Sequence, residues 1–189
     1  MTQTSTTILS GTGHKVSKSG TVISFIASDH KIKSNDSSVA FPYVQYDIVT
    51  VTGSANNNST FTVKSVASDN SYIIVEETVV DESVGNNLTV DHTGFVTNKY
   101  KGDGYYSQPD GLHTVAYHVS ADLTGTIKMQ GSLSTTPTED DWFDIAGTAF
   151  ITDQTTRVNS VNFTGNFVWV RAKATGVTAG SVMKILYNH

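Results

Sequence analysis

Six histidines are the side chains best suited to metal or acid–base chemistry, and their spacing argues against a site. His113 and His118 are the closest pair. They lie five apart on a segment that alternates as a strand does, so they leave opposite faces of a sheet. His14, His30 and His92 lie in unrelated turn-like stretches, and His189 is terminal. A histidine cluster would have to be assembled by the fold or across an oligomer axis. Glu139, Asp140, Asp141 and Asp144 surround Trp142, but the run lacks the spaced oxygens and the bend glycine of a calcium loop. Asp141 and Asp144 as a glycosidase pair would need one raised pKa, for which a loop-to-strand transition gives no cause. The run reads as a solvated loop entering a strand that buries Trp142 or Phe143, and Ile145. A lysine or arginine of a neighbouring subunit is an alternative partner for it. Lys101-Gly102-Asp103-Gly104-Tyr105-Tyr106 is glycine-rich without the following helix or the G-K-[ST] ending of a phosphate loop. It reads as a connection whose tyrosines, Tyr105 and Tyr106, can pack at an interface. With no cysteine there is no thiolate site, and no Ser/His/Asp order is recognisable. The expectation is no metal, no cofactor, no catalytic residue and no enzymatic activity.

The elements that carry these residues read as strands. His113–Val119 alternates, Leu123-Thr124-Gly125 turns, and Thr126–Leu133 alternates again. Phe167–Ala172 alternates, Thr175–Gly180 turns, and Ser181–Tyr187 returns. Period-2 alternation between Gly/Thr/Asn turns marks strands with one buried face, and the two blocks read as hairpins of a β-sandwich. On Phe167–Ala172, Val168, Val170 and Ala172 share one face and Phe167, Trp169 and Arg171 the other. The arginine assigns the second face to the outside. Trp169 beside Arg171 then suits an inter-subunit contact or cover by another module, since both residue types are enriched at interface hot spots.

Composition agrees with an all-β chain. Of 189 residues, 38% are hydrophobic and only 15% charged, with Ser and Thr about a quarter. Thr, Val, Asn and Gly in such abundance favour strands and turns over helices. The three prolines fall at turn-like places, Phe41-Pro42, Gln108-Pro109 and Thr136-Pro137. A net charge of −5 without a Lys/Arg run argues against a dedicated nucleic-acid binder. Met1–Gly20 has neither the basic start nor the apolar run of a signal peptide. No stretch approaches the roughly 20 apolar residues of a membrane span.

The texture changes between Thr21 and Gly94. Val22–Ala27, Tyr46–Thr52, Thr60–Val66, Tyr72–Glu76 and Leu88–Asp91 are candidate strands separated by dense Ser/Asn/Asp/Gly turns. Short strands at this spacing suggest a small barrel or compact sandwich. The expected architecture is a discontinuous β-sandwich from residues 1–20 and 95–189, with 21–94 as a small all-β module inserted at a loop tip.

Several phrases carry a resemblance. Thr114–Val119, Gln130–Ile145 (QGSL…TP…DWFDI), Asn162–Ala172 (NFTGNFVWVRA) and Ile185–His189 (ILYNH) resemble a family of small virion structural proteins of contractile-tailed phages of marine cyanobacteria. In that family a stretch like Ser5–Ser17 passes soon to one like Pro109–Val119; here about 90 residues separate them, as an insertion would. Within the insertion, Tyr46–Glu77 resembles a small β module of phage structural proteins, with D-x-[IV]-x-V-[ST]-G-S, an Asn/Gly-rich loop and a T-[FY]-T-V strand. The resemblance implies a non-enzymatic virion component assembled in the host cytoplasm. It implies other virion proteins as partners, a capsid decoration (cement) role and a homo-oligomer, with a trimer as the family-level expectation. The alternative is a tail-fibre, collar or baseplate part that binds carbohydrate or a receptor. Tyr105, Tyr106 and Trp142 are the aromatic candidates for sugar contact, and Trp169 and Arg171 complete the candidate interface set.

Overall fold

A computed structural model describes residues 5–106, 111–151, 155 and 157–189. Pro109, read as a turn residue, lies outside the described residues. The chain is all-β with a few short 3-10 turns. It divides into two compact units, one of Met1–Gly13 with Val96–His189 and one of His14–Phe95. Among the described residues no helix is long and apolar enough to cross a membrane.

The terminal unit opens with β1 (Ser5–Gly13). The chain then builds the other unit from β2 (Lys18–Gly20), β3 (Ile23–Ile26), β4 (Lys31–Ser34), β5 (Asp47–Thr52), β6 (Thr60–Val66), β7 (Tyr72–Val75) and β8 (Leu88–Val96). It returns with β9 (Tyr100–Lys101), β10 (Leu112–Val119), β11 (Thr124–Ser132), β12 (Phe143–Asp144) and β13 (Phe150–Ile151). β14 (Val158–Thr164), β15 (Trp169–Ala179) and β16 (Ser181–Asn188) complete it. The first crossover falls earlier than the sequence places it. The pattern assigns Lys18–Gly20 to the terminal sandwich, but this segment pairs with Leu88–Val90, because its backbone groups find an antiparallel ladder there.

The terminal unit consists of two antiparallel sheets. One has the order β1-β16-β10-β14. In the other, β11 carries β12 and β13 on one edge and β15 on the next, and β15 carries β9. Neither of the expected hairpins forms. β10 and β11 lie in different sheets, as do β15 and β16, so each tight turn carries the chain from one sheet to the other. The segment Thr175–Gly180, read as a turn, continues β15 as far as Ala179, because Thr175 and Ala179 still pair with Thr126 and Thr124. The turn is compressed to Gly180, whose φ of +73° favours glycine. Inward residues of both sheets build the core. Val115, Tyr117 and Val119 of β10 are buried, as are Ile127 and Met129 of β11, Val170, Ala172 and Ala174 of β15, and Val182, Ile185 and Tyr187 of β16. Phe167, which strand parity puts outside, is buried too. It precedes β15, and its ring lies so close to Gly131 and Gly165 that neither position has room for a Cβ. The Tyr117 ring stacks on Phe150 with centroids 6.0 Å apart, and its hydroxyl donates to the Thr148 carbonyl at 2.9 Å.

The other unit orders its strands β2-β8-β5-β6-β7-β4-β3 around one core that includes Ile23, Ile32, Tyr43, Val49, Phe61, Ile73 and Leu88. Buried Asp47 takes Lys15 Nζ at 2.8 Å and the Val44 N–H at 2.8 Å. Gly53, at φ +81°, lets the next loop pass against Asn87, whose carbonyl would lie 2.6 Å from a Cβ. That loop closes on Glu82. Its carboxylate accepts from Ser54 Oγ at 2.6 Å, the N–H groups of Ala55 and Asn56 at 3.0 and 3.2 Å, and the amides of Asn57 and Asn86 at 3.0 and 2.9 Å. Desolvation alone would raise the Glu82 pKa, but these donors outweigh it and hold it at about 2. A depressed pKa stabilises the fold above the ordinary glutamate range, and that contribution fades as pH falls from about 4.5 toward 2. Glu82→Gln is expected to cost about 2 kcal/mol at pH 7, and much less at pH 3, in urea unfolding at the two pH values.

Candidate functional site

The glycine-rich connection Lys101–Tyr106 is built into the terminal unit rather than looping free. The Gly102 and Gly104 N–H groups donate to the carbonyls of Val168 and Phe167 at 3.0 and 2.9 Å. A Cβ on Gly102 would stand 2.5 Å from the Phe167 carbonyl oxygen, and one on Gly104 would clash with Asn166. The two glycines thus press the turn onto the backbone before β15. Asp103 between them points inward and is 1% exposed. Its neighbours are His189 Nδ1 at 3.3 Å and His113 Nε2 at 4.0 Å.

His113, at 0% exposure, is fixed in one tautomer. Its Nε2 lies 2.8 Å from the Gly165 carbonyl, which only accepts, so Nε2 carries the proton. Nδ1 then accepts from the Tyr187 hydroxyl at 2.8 Å. Burial, and after it the Asp103 charge, pushes the Tyr187 pKa up, so the phenol stays a donor. His189 stacks on Tyr187 and Tyr106, with centroids 5.1 and 6.1 Å apart. The histidines that look scattered in the sequence are therefore partly gathered: β10 supplies His113 and the end of β16 supplies His189. Among the described residues, no group of three or more His, Cys, Asp or Glu forms a metal cage.

In front of this buried relay lies an open groove of about 340 Å³, lined by Thr6, Lys99, Tyr100, Lys101, Tyr106, Trp169, Tyr187 and His189. Trp169 and Lys101 are direct cross-strand partners of β15 and β9, a pairing that sets side chains on one face within reach of each other. Lys99 Nζ stands 4.7 Å from the Trp169 ring centroid. Lys101 Nζ stands 4.1 Å from the Tyr105 ring and 5.5 Å from that of Tyr106. Tyr105 also meets Trp169, with centroids 5.2 Å apart. Trp169 Nε1 donates to the Thr135 carbonyl at 3.0 Å, which sets the tilt of the indole.

The structure brings Tyr105, Tyr106 and Trp169 together and separates Arg171 from them in role. Strand parity leaves Arg171 exposed for a partner, but it is 5% exposed. Its Nε donates to Gln130 Oε1 at 2.9 Å, and its two terminal nitrogens donate to Glu139 at 2.7 and 2.8 Å. Trp142 covers the guanidinium at 4.3 Å. The planar fork of arginine matches a carboxylate bidentately, so Glu139 ties the acidic loop to an arginine of its own chain. The Arg171 hydrogen bonds hold the Glu139 pKa below the ordinary range. Asp141 closes the same turn by accepting from the Thr138 N–H and hydroxyl at 2.7 and 2.9 Å, and Asp144 pairs with Lys128. Ile145 is buried as expected, whereas Phe143 is 44% exposed.

A second surface of the terminal unit has, His118 apart, no counterpart among the residues picked out by type and spacing. The outward residues of β1, β16, β10 and β14 follow from the registers. Thr7 stands by Leu186, Leu186 by Ala116, Ala116 by Ser160, Thr114 by Asn162, and His118 by Lys184 and Val158. Leu112, Val158 and the bulged Met183 are more than half exposed. Among the described residues of this face, Lys184 is the only permanently charged side chain. Burial, and then the Lys184 charge, lowers the His118 pKa, which keeps the imidazole neutral near pH 7. The signal is present in the sequence as the polar, uncharged alternate positions of β10 and β14, but only the strand order makes one surface of them.

No family model matches the chain, and neither does any curated protein.

Proposed function

We propose that this protein is a non-enzymatic structural component of a phage virion that acts as a capsid decoration protein. In this reading it binds the particle through protein–protein contacts as a homo-oligomer. The phrases at both chain ends that resemble small virion structural proteins support the class. The observation that carries the binding mode is the outward face of β1-β16-β10-β14, where Thr7, Leu186, Ala116, Ser160, Asn162 and Leu112 form a surface almost without charge. Charge depletion distinguishes the core of a protein interface from ordinary surface, and a paired ladder lets such a face dock without remodelling.

Ala116 sits in the middle of this face and is half-buried. Ala116→Glu places an unpaired charge at the centre of the contact and is expected to weaken binding to purified empty capsids by about 100-fold, equivalent to about 3 kcal/mol. Its unfolding temperature should match that of the parent. Co-sedimentation with capsids measures the first and calorimetry the second. Equal sedimentation of the variant and the parent would sink this docking face. Location of the chain at the tail rather than at capsomer junctions in a virion reconstruction would replace decoration with a fibre, collar or baseplate role.

A further inference from the structure

We infer that the groove between Trp169, Tyr106 and His189 is a binding site for an acidic saccharide, a short glycan bearing uronate-type carboxylates. The chain carries a net charge of −5, yet none of the groove residues is an aspartate or glutamate. Among the described residues, Asp103 does not line the groove but is buried against His189 and His113. Lys99 and Lys101 have no carboxylate partner among the described residues. They rest instead over the rings of Trp169, Tyr105 and Tyr106. Such cation–π contacts hold an ammonium in place while leaving its protons free for an anion. The groove therefore offers two localised positive charges beside flat aromatic faces. The C–H faces of pyranose rings stack on such rings, and the carboxylates of an acidic sugar reach the ammonium groups. The groove volume, about 340 Å³, lies within the range of small-ligand sites.

Other anions fit less well. A peptide that adds a strand needs free backbone donors, but the Lys101–Trp169 and Tyr100–Val170 ladder already occupies the backbone here. Nucleic acid would need a broader basic surface than two lysines in an acidic chain. The inference does not depend on the virion assignment.

The test titrates the purified protein by isothermal calorimetry with a galacturonate oligosaccharide, with a neutral galactose oligosaccharide of equal length, and with a glutamate-rich peptide. Indole fluorescence is compared between the parent and Trp169→Ala, in which Trp142 is the remaining tryptophan. The parent should bind the uronate at least about tenfold more tightly than the neutral sugar, with affinity falling as salt rises. Lys99→Gln with Lys101→Gln should remove about tenfold or more of that affinity, and Trp169→Ala should remove the fluorescence response. A cooperative unfolding transition like the parent's, with its midpoint lowered only by the lost ring contacts, shows that the lysine variant is folded. No binding of the uronate, equal binding of the neutral sugar, preference for the peptide, or full affinity in the double lysine variant would each overturn the assignment.

Discussion

Val170→Asp is expected to abolish folding of the terminal unit, while Trp169→Ala, one residue away, leaves it folded. Val170 is 0% exposed and stands opposite Gly131 on β11 and Tyr100 on β9. A carboxylate there would be buried, with no cation among the described inward residues that surround it. An uncompensated buried charge costs several kcal/mol or forces the group to stay protonated. Either cost is comparable with the roughly 5–15 kcal/mol that holds a whole domain together. Trp169 on the opposite face is half-buried, and its loss removes one ring contact, one indole hydrogen bond and the Lys99 contact. That loss should cost about 2 kcal/mol. Circular dichroism and urea unfolding separate the outcomes. A transition of the terminal unit in the Val170→Asp protein, seen in addition to that of the unit of His14–Phe95, would show that the two faces of β15 have been reversed.

Gly180→Ala should be the second most damaging of these single changes. At φ +73° any side chain costs about 1–2 kcal/mol. Its Cβ would also lie closer than 3.0 Å to the backbone N and Cα of Leu123. Leu123 is itself buried in the turn between β10 and β11, so the two turns that carry the chain between sheets press on each other and neither can yield alone. The sum is expected to reach about 4 kcal/mol. Gly176 supplies the control. It has φ +65°, but a Cβ there would meet nothing within 4 Å, so Gly176→Ala should lose only about 1 kcal/mol. Thermal unfolding of both variants measures the difference, and equal losses would mean that the turn contact with Leu123 contributes nothing.

The strands are legible because burial on one face writes itself into the sequence every second residue. β10 and the start of β15 show this, and so does the buried set of Val170 and Ala172. Alternation does not say which sheet a strand joins, so a tight turn between two alternating segments reads as a hairpin even where it is a passage between sheets. β4 leaves no such trace because only Ile32 of Lys31–Ser34 is apolar, too little for a pattern, although that one residue is wholly buried. Tyr105, Tyr106 and Trp169 are recognisable by type. The relay of Asp103, His113 and His189 is not, since it is assembled from three distant parts of the chain. The glycines flanking Asp103 are its one local trace, because side chains there would forbid the close approach that turns the carboxylate inward. Arg171 misleads for a related reason: strand parity puts it outside, and only the folded turn of Glu139–Trp142 covers it.

The pairing of β1 with β16, in which Ser5 stands against Asn188, has a consequence for the order of events during synthesis. β1 leaves the ribosome long before its partner β16 and has no partner until β16 has emerged, whereas the unit of His14–Phe95 has its own core and can consolidate while translation continues. Contacts this remote in sequence close slowly, and domains mature as separate units on a growing chain. Until then the nascent β1 offers an open hydrogen-bonding edge. Where nascent chains are close together, the β16 of a neighbouring chain competes for that edge with the β16 still to come, which is the route to strand-exchanged dimers.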